Sequence, residues 1–348
     1  MTITLPQADQ HTAMAANQAE KPAAKDLRDQ FTALRFSCGL FNLHSRAKLI
    51  LTGTDRTRWL NGMVTNNIRD LAAGHGVYAF LLNPQGHILG DLKAFNREDS
   101  FVIDTDQAQL EKIRSTFDHY IIMDDVEAAD ASEKLVAIGI AGPKSREVLT
   151  NVGIQLPELA PLQFADLTWR DASITLVRSD NTRRESYEIW LAPGNLDGAR
   201  KALLDGGATA ISPEALELIR IADGIPRYGQ DIRERDLPQE TEQARALHFS
   251  KGCYVGQEIV ERIRSRGGVH RTFATFSVSG ALPAPGTKIQ SEGKDVGEIT
   301  SSAILPLPDG DVPAALGYVR KEAVNKNLAA GEAVLSVSAL GSPSLLGS

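Results

Sequence analysis

The most informative stretch of this chain reads Lys251-Gly252-Cys253-Tyr254-Val255-Gly256-Gln257-Glu258. It holds one of only two cysteines in 348 residues, in a turn whose flanking glycines permit backbone angles that other residues avoid. The pattern from Gly256 to Arg266 predicts a helix, because Ile259 and Ile263 lie one turn apart and charged residues occupy most of the other positions. We therefore expect Cys253 near a helix N-terminus, where unpaired N–H groups favour an anion.

This position favours the thiolate form of Cys253. A helix N-terminus and a nearby ammonium group, here Lys251, lower a cysteine pKa from about 8.5 into a range of about 3.5–7.5. The carboxylate of Glu258 opposes that shift. The candidate catalytic residues are Cys253, Lys251, Gln257 and Glu258. On local chemistry alone, a buried and unreactive cysteine in a tight turn is the alternative.

The motif, with the basic segment that follows it, resembles the signature of YgfZ-type folate-binding proteins; that segment reads Arg262-Ile263-Arg264-Ser265-Arg266-Gly267-Gly268. These proteins are paralogues of the aminomethyltransferase (T-protein) of the glycine cleavage system. Further segments with this resemblance are Cys38–Leu43, Thr52–Arg56, Ile219–Gly229 and Val296–Ser301. The resemblance implies a three-part, clover-like arrangement around a central folate cavity, with tetrahydrofolate or a one-carbon derivative as the cofactor.

Composition limits the remaining classes of function. A formal net charge of −7 argues against extended nucleic-acid binding as the main role. A local basic strip after the motif is either a solvated helix face or an anion- or partner-binding surface; it consists of Arg262, Arg264, Arg266, His270 and Arg271. Two cysteines cannot supply a disulfide framework or the four thiolates of a conventional iron–sulfur cluster, so no resident metal site is predicted. Cys38 lies among apolar residues, and we expect it to serve packing.

Both ends of the chain are predicted to lie outside the fold. Residues 1–25 are polar and rich in Ala, Gln and Lys, without the apolar centre of a signal peptide, and residues 341–348 form a second loose end. No stretch approaches the roughly 18 consecutive apolar residues of a membrane span. These features predict a cytoplasmic protein with no membrane contact.

Periodicity predicts an α+β fold. Helical patterns such as Lys25–Phe36 and Pro213–Ala222 alternate with strand patterns such as Ile88–Phe95, which predicts antiparallel sheets with helices packed on them. The resemblance implies that residues 26–250 form the folate-binding region, with two interleaved subdomains. The Cys motif and its helix occupy residues 251–271. From Thr272 onward, short strands separated by Gly and Pro turns predict a small C-terminal β-barrel over residues 272–340. Thr54 is expected to cap a helix that runs through Asn61.

Four residues are predicted to hold the folate. The segment Tyr187-Glu188-Ile189 resembles the family's G-Y-E-I segment, which makes Glu188 the candidate to bind the pterin edge; a strand carboxylate facing solvent is the alternative. By the same resemblance, the transferase has a pair of aspartates where this chain has Gly90 and Asp91, so only Asp91 remains to act on a folate nitrogen; an ordinary acidic residue in a turn is the alternative. Arg220 is predicted to face either the carboxylate tail of folate or a structural acid; a helix arginine whose stem lies along apolar surface with its charged end in solvent is the alternative. Tyr228 belongs to a third segment that resembles the family.

These features together predict a tetrahydrofolate-binding accessory protein that supports assembly or repair of iron–sulfur enzymes. Its partners would be folate and iron–sulfur client enzymes or assembly factors. The alternative is a folate-dependent one-carbon transferase or demethylase, since Asp91 is retained. A third, weaker interpretation is a tRNA-modification partner that uses the basic strip.

Overall fold

The computed structural model describes residues 24–181 and 183–338. The tail predicted for residues 1–25 lies outside this part except for its last two residues, and the end predicted for residues 341–348 lies wholly outside it. The helices within it are α1 (Ala24–Phe36), α2 (Arg56–Met63), α3 (Leu110–Tyr120), α4 (Ser145–Asn151), α5 (Leu196–Asp205), α6 (Pro213–Ala222) and α7 (Gln257–Arg266). Not one of these helices has the length and apolarity needed to cross a membrane.

The first sheet is antiparallel except at one edge. Its strands lie in the order β11 (Thr209–Ala210), β1 (Gly39–Asn42), β7 (Val136–Ala141), β10 (Ser186–Leu191), β9 (Ala172–Arg178) and β8 (Phe164–Trp169). Only the pair β1–β11 within this sheet is parallel. Apolar side chains of α4 and α5 share a buried cluster with those of β1, β7 and β10, so one face of the sheet is covered by helices.

The second sheet is built from an excursion of the chain between β1 and β7. Its order is β3 (Gly76–Leu82), β4 (Ile88–Asn96), β5 (Phe101–Asp106), β2 (Arg46–Thr52) and β6 (Glu127–Asp130). Helices α2 and α3 cover one face of it. The two sheets meet around Phe95, whose ring lies 5.0 Å from that of Trp190 and 6.0 Å from that of Phe164.

The C-terminal strands close into a six-stranded barrel. Their order is β12 (Arg271–Ser279), β15 (Gly310–Arg320), β14 (Lys294–Leu307), β13 (Lys288–Ser291), β16 (Leu328–Ala330) and β17 (Ala333–Ser338). Alternate residues fill the interior, whereas the outer face around Phe273 and Leu316 packs against α1 and α6. The predicted α+β class with a C-terminal barrel is confirmed.

Local signals explain which elements sequence reasoning placed correctly. Helix α6 has the predicted bounds because Ser212 accepts a hydrogen bond from the N–H of Ala215 and a proline occupies the first helical position. The predicted cap of α2 by Thr54 is wrong: the cap position is Asp55, and Thr54 instead donates to the carboxylate of Asp125. Strand β8 is not among the predicted strands, although Ala165, Leu167 and Trp169 alternate with the exposed Asp166 and Thr168.

Candidate functional site

Cys253 lies on an exposed loop that is fixed on both sides. The side chain of Tyr254 is buried, and the N–H of Val255 donates to the carbonyl of Gly62 at 3.0 Å. Gly256 has a φ of +81°, and a Cβ there would lie 2.6 Å from the carbonyl oxygen of Asn83, so this turn requires glycine. Cys253 itself is exposed. The alternative of a buried, inert cysteine is therefore wrong, because the loop buries its neighbours and leaves the thiol in solvent.

Lys251 anchors this loop to the C-terminal end of α2. Its Nζ donates to the carbonyl oxygens of Asn61, Val64 and Asn66 at 2.6, 2.6 and 2.7 Å. Burial and, to a lesser extent, repulsion from Arg69 lower the pKa of Lys251 to about 7. The ammonium group thus satisfies carbonyls that the helix end leaves without partners.

The other two members of the predicted catalytic set, Gln257 and Glu258, are the first two residues of α7. Gln257 accepts a hydrogen bond from the N–H of Tyr254 at 3.3 Å through its side-chain oxygen, which closes the turn after the cysteine. Glu258 is exposed. Cys253 precedes the first residue of α7 by four positions, so the loop, and not the first helical turn, carries the thiol.

Glu188 is buried in the middle of β10, where every residue of the strand is buried. Its Oε1 accepts a hydrogen bond from Lys93 Nζ at 3.2 Å, and its Oε2 accepts one from the indole N–H of Trp190 at 2.9 Å. The alternative of a strand carboxylate facing solvent is therefore wrong. Each oxygen keeps a further lone pair, so the carboxylate can still accept hydrogen bonds from a ligand.

Glu188 belongs to a chain of charged groups that spans both sheets. Lys93 Nζ also lies 3.6 Å from Oδ1 of Asp180, and Oδ2 of Asp180 accepts a hydrogen bond from Arg245 at 2.5 Å. Burial lowers the pKa of Lys93, but the negative charges of Glu188 and Asp180 outweigh burial and raise this pKa above its ordinary value. Burial raises the pKa of Asp180, but the positive charges of Lys93 and Arg245 outweigh burial and lower this pKa below its ordinary value. Lys93 is thus an ammonium group between two carboxylates.

A cavity of about 200 Å³ adjoins Glu188. Its lining is mostly apolar, with Leu34, Phe41, Leu43, Ala141, Tyr187, Leu216 and Ile219. A second cavity of about 300 Å³ contains Asp180 and Arg245, and the two share the lining residues Asn181, Asp223 and Ile225. Ser186, which also lines the first cavity, has a buried hydroxyl without a hydrogen-bond partner among the described residues. An apolar slot with few polar groups is the usual form of a small-molecule site.

Asp91 lies on β4, two residues before Lys93, and is joined to the same network. Its carboxylate accepts hydrogen bonds from the hydroxyl of Tyr78 at 2.7 Å and from the side-chain amide of Gln109 at 2.8 Å. The ring of Tyr78 is covered by the guanidinium of Arg245 at 4.8 Å. A Cβ on Gly90 would lie 3.0 Å from Oε1 of Gln109, so Gln109 occupies the space that a second aspartate would need.

Arg220 is wholly engaged inside the protein. Its five N–H groups donate to both carboxylate oxygens of Glu217, to Asp231, to the carbonyl of Ile225 and to the hydroxyl of Ser301 in the barrel. These contacts agree with the prediction that Arg220 binds a structural acid, here Glu217 and Asp231. Arg220 lines the Glu188 cavity, but its N–H groups are all in use.

Tyr228 lies apart from the Glu188 cavity. Its hydroxyl donates to the carbonyl of Leu89 at 2.5 Å and accepts a hydrogen bond from Lys112 at 3.3 Å. Its ring packs on a hydrophobic cluster that includes Tyr78 and Tyr254. The base of the Cys253 loop and the charged network around Asp91 therefore share one packed cluster.

The basic strip is less continuous than predicted. Arg262, Arg264, Arg266 and His270 are exposed. Arg271 is not part of it, because its guanidinium is bound to Asp236 and Glu240 at 2.7–3.0 Å. The accessible strip thus ends before the barrel begins.

Sequence reasoning missed Lys93, Asp180, Arg245 and Trp190. The sequence does contain a signal for Lys93. Asp91 and Lys93 are two positions apart in a strand in which most other residues are apolar, so both side chains point to the same face of the sheet. Asp180 and Arg245 lie in irregular segments, where no periodicity identifies them.

Comparison with known proteins agrees with this architecture. A sequence model of the family described as GCVT N-terminal domain matches residues 7–251, and one described as CAF17, C-terminal beta-barrel domain, matches residues 271–341. An aminomethyltransferase of Halothermothrix orenii is 25% identical over 304 residues, covering 84% of this chain and 83% of that protein. An aminomethyltransferase of a Nostoc species is 26% identical over 296 residues, covering 82% of this chain and 78% of that protein.

One solved structure shares the fold over most of its length. It is the glycine cleavage system aminomethyltransferase T from Bartonella henselae, with a TM-score of 0.81 and 22% identity over 90% of this chain and 88% of that chain. At this identity the similarity establishes the fold alone.

Proposed function

The chain belongs to the GCVT N-terminal domain family and carries a CAF17-type C-terminal barrel, and from this we propose that it is a tetrahydrofolate-binding accessory protein of the YgfZ type, supporting assembly or repair of iron–sulfur enzymes. The observation that carries the proposal is the combination of two features. One is the cavity at Glu188, and the other is the exposed thiol on the anchored loop.

The residues of the cavity fit a reduced folate. A pterin edge offers N–H donors, and the carboxylate of Glu188, which lines the cavity, can accept hydrogen bonds from them while Lys93 holds it in place. The unpartnered hydroxyl of Ser186 supplies a further polar group, and the apolar lining suits the flat ring. Glu188 and Ser186 would therefore hold the pterin, and Lys93 would position Glu188. The cofactor itself would contribute a bound one-carbon unit or a conformational signal, while this chain binds and orients it.

Two observations disfavour ordinary aminomethyl transfer. Position 90 is glycine, and Gln109 occupies the space beside it. Asp91 is already bound by Tyr78 and Gln109. A base in this position works best when it can reach the proton of a substrate amine. The one-carbon transferase remains the alternative because Asp91 is present and the curated relatives are aminomethyltransferases.

In this proposal Cys253 acts on a cluster in transit, which is cargo and not a resident cofactor. The thiol releases its proton to solvent, and the thiolate donates an electron pair to an iron atom. On transfer to the client the bond to iron breaks and the thiolate takes up a proton again. Exposure of the thiol and rigidity of its loop are what such a transient ligand needs.

The folate part is tested by calorimetric titration with tetrahydrofolate. Glu188→Gln keeps the volume and removes the charge, and should weaken binding about 10- to 100-fold, since hydrogen bonds to a charged group contribute about 1.5–3 kcal/mol. Glu127→Gln, on an exposed strand, serves as the control. Equal affinity of wild type and Glu188→Gln would show that the carboxylate is not the pterin ligand.

The accessory role is tested in cells that lack this protein. Iron–sulfur enzyme activity under oxidative stress is compared after expression of the wild type, Cys253→Ser or Cys38→Ala at matched levels. Rescue by wild type and Cys38→Ala, but not by Cys253→Ser, supports the proposal. Full rescue by Cys253→Ser contradicts the thiol's role. Folate turnover with an amine substrate by the purified protein would favour the transferase.

A further inference from the structure

A third cavity, separate from the two described above, lies on the outer face of the barrel. It has a volume of about 450 Å³ and is lined by Arg235, Arg271, Lys288, Asp295, Val296, Gly297, Glu298, Tyr318 and Arg320. Cationic side chains outnumber acidic ones by four to two in this lining. The cavity therefore has the charge of an anion site.

The acidic member Glu298 holds the cations in place. It accepts hydrogen bonds from Arg233 at 2.6 Å and Lys288 at 2.7 Å, and Arg235 lies 3.6 Å away. Partial burial opposes ionisation, but the hydrogen bonds from Lys288 and Arg233 lower the pKa of Glu298 to about 2. Glu298 is thus a fixed counter-ion at neutral pH and does not compete for protons.

Two guanidinium groups of the cavity keep their donors free. Arg235 and Arg320 make no side-chain hydrogen bond within the described residues, and their ion pairs are long, at 3.6 and 3.7 Å. Both side chains are 60% exposed, so they can rotate toward a ligand. Guanidinium groups with free donors bind phosphate oxygens in bidentate fashion.

A buried hydroxyl provides an independent observation. Tyr318 is 1% exposed, lines the same cavity, and its hydroxyl has no hydrogen-bond partner among the described residues. Burial raises the pKa of Tyr318 far above its ordinary value, so the hydroxyl stays protonated and can donate. A buried donor without an acceptor is costly, and a ligand oxygen would remove that cost.

We propose that this cavity binds the phosphate group of a small molecule, with Arg235, Arg320 and the hydroxyl of Tyr318 as donors and Lys288 as a further positive charge. A phosphate accepts several hydrogen bonds from converging directions, which a planar carboxylate does less well. The cavity volume exceeds that of a phosphate ion, which favours a phosphate monoester as the ligand.

The test is calorimetric titration of the full-length protein with inorganic phosphate and, separately, with glycerol phosphate as a simple monoester. Saturable millimolar or tighter binding of either probe is expected. Tighter binding of the ester identifies a phosphorylated metabolite as the ligand class, and tighter binding of inorganic phosphate identifies the free ion. The absence of saturable binding of both probes overturns the proposal.

Two double variants distinguish a specific phosphate site from nonspecific attraction to surface charge. Arg235→Gln with Arg320→Gln should weaken binding at least about tenfold, since the loss of two charge-assisted contacts costs more than 1.4 kcal/mol. Arg170→Gln with Arg200→Gln removes the same charge from exposed positions elsewhere and should leave binding unchanged. An equal loss in both double variants refutes the site.

Tyr318→Phe deletes only the unpartnered hydroxyl. It should weaken phosphate binding by a few fold without lowering the thermal stability of the unliganded protein, because the hydroxyl makes no hydrogen bond there. Unchanged affinity in this variant removes the one buried donor from the site and contradicts the proposal.

Discussion

Replacing Lys251 with methionine separates two roles for the lysine of the Cys motif. The sequence suggests a positive charge that activates the thiol of Cys253. The structure places its ammonium group on three carbonyl oxygens at and just beyond the C-terminal end of α2, which is the role of an anchor. Methionine has a similar volume and no donor, so the substitution removes the hydrogen bonds and keeps most of the packing.

The magnitude follows from these contacts. A hydrogen bond to a charged group contributes about 1.5–3 kcal/mol, and a buried acceptor left unsatisfied costs about 1–3 kcal/mol. Desolvation of the ammonium, which lowers the pKa of Lys251 to about 7, offsets part of the gain. We expect Lys251→Met to reduce the free energy of unfolding by about 2–4 kcal/mol.

The pH dependence has a definite sign. The unfolded lysine has a pKa of 10.5 and the folded one about 7, so between these values unfolding takes up a proton. Stability contributed by this group therefore rises with pH from 7 to 10.5. Below pH 7 the lysine is protonated in both states and adds no slope. Lys251→Met should lack this rise.

The assay is urea unfolding at several pH values, together with the rate at which a disulfide reagent modifies Cys253 in the folded protein. The control is Lys201→Met, whose ammonium forms an exposed pair with Asp205; this change should cost less than about 0.5 kcal/mol. An anchor predicts lower stability and a thiol rate changed by less than about threefold. A stability loss below about 0.5 kcal/mol with a tenfold slower thiol reaction would refute the anchor and favour activation.

Three further predictions concern the remaining framework. Gly256→Ala should lower the free energy of unfolding by about 2–4 kcal/mol because of its positive φ and a backbone clash, whereas Gly153→Ala, with φ of +88° and open space, should cost only about 1 kcal/mol in the same urea assay. Asp104→Asn leaves the buried Lys48 and the partly buried Arg46 poorly paired and should cost about 3–5 kcal/mol; Asp311→Asn, at an exposed pair, should stay within about 0.5 kcal/mol. The folded pKa of Glu298 is about 2 against 4.5 unfolded, so its contribution is present above pH 4.5 and lost as pH falls through 2; Glu298→Gln should flatten the acid limb of thermal stability measured by circular dichroism.

Sequence reasoning reached the fold because its signals are local. The bounds of α6 follow from a cap and a proline, and the barrel strands follow from alternation between Gly and Pro turns. The position of Glu188 in an apolar strand likewise suggested burial. Its partners could not be predicted, because Lys93 is 95 positions away and meets it only where the two sheets pack together. The acceptors of Lys251 could not be predicted for the same reason, since they lie 185–190 positions earlier in the chain.

Arg220 joins the wall of the Glu188 cavity to the barrel through Asp231 and Ser301. Asp231 is fully buried and also accepts hydrogen bonds from Thr300 and Ser301 of β14. The barrel therefore cannot be exchanged as an independent module. A recombinant chimera that takes its barrel from a relative would leave a buried arginine and a buried aspartate short of partners unless the donor supplies hydroxyl groups at both positions. Within this family, inheritance of the C-terminal barrel and of the cavity wall should thus be coupled, and grafting experiments should move the two together.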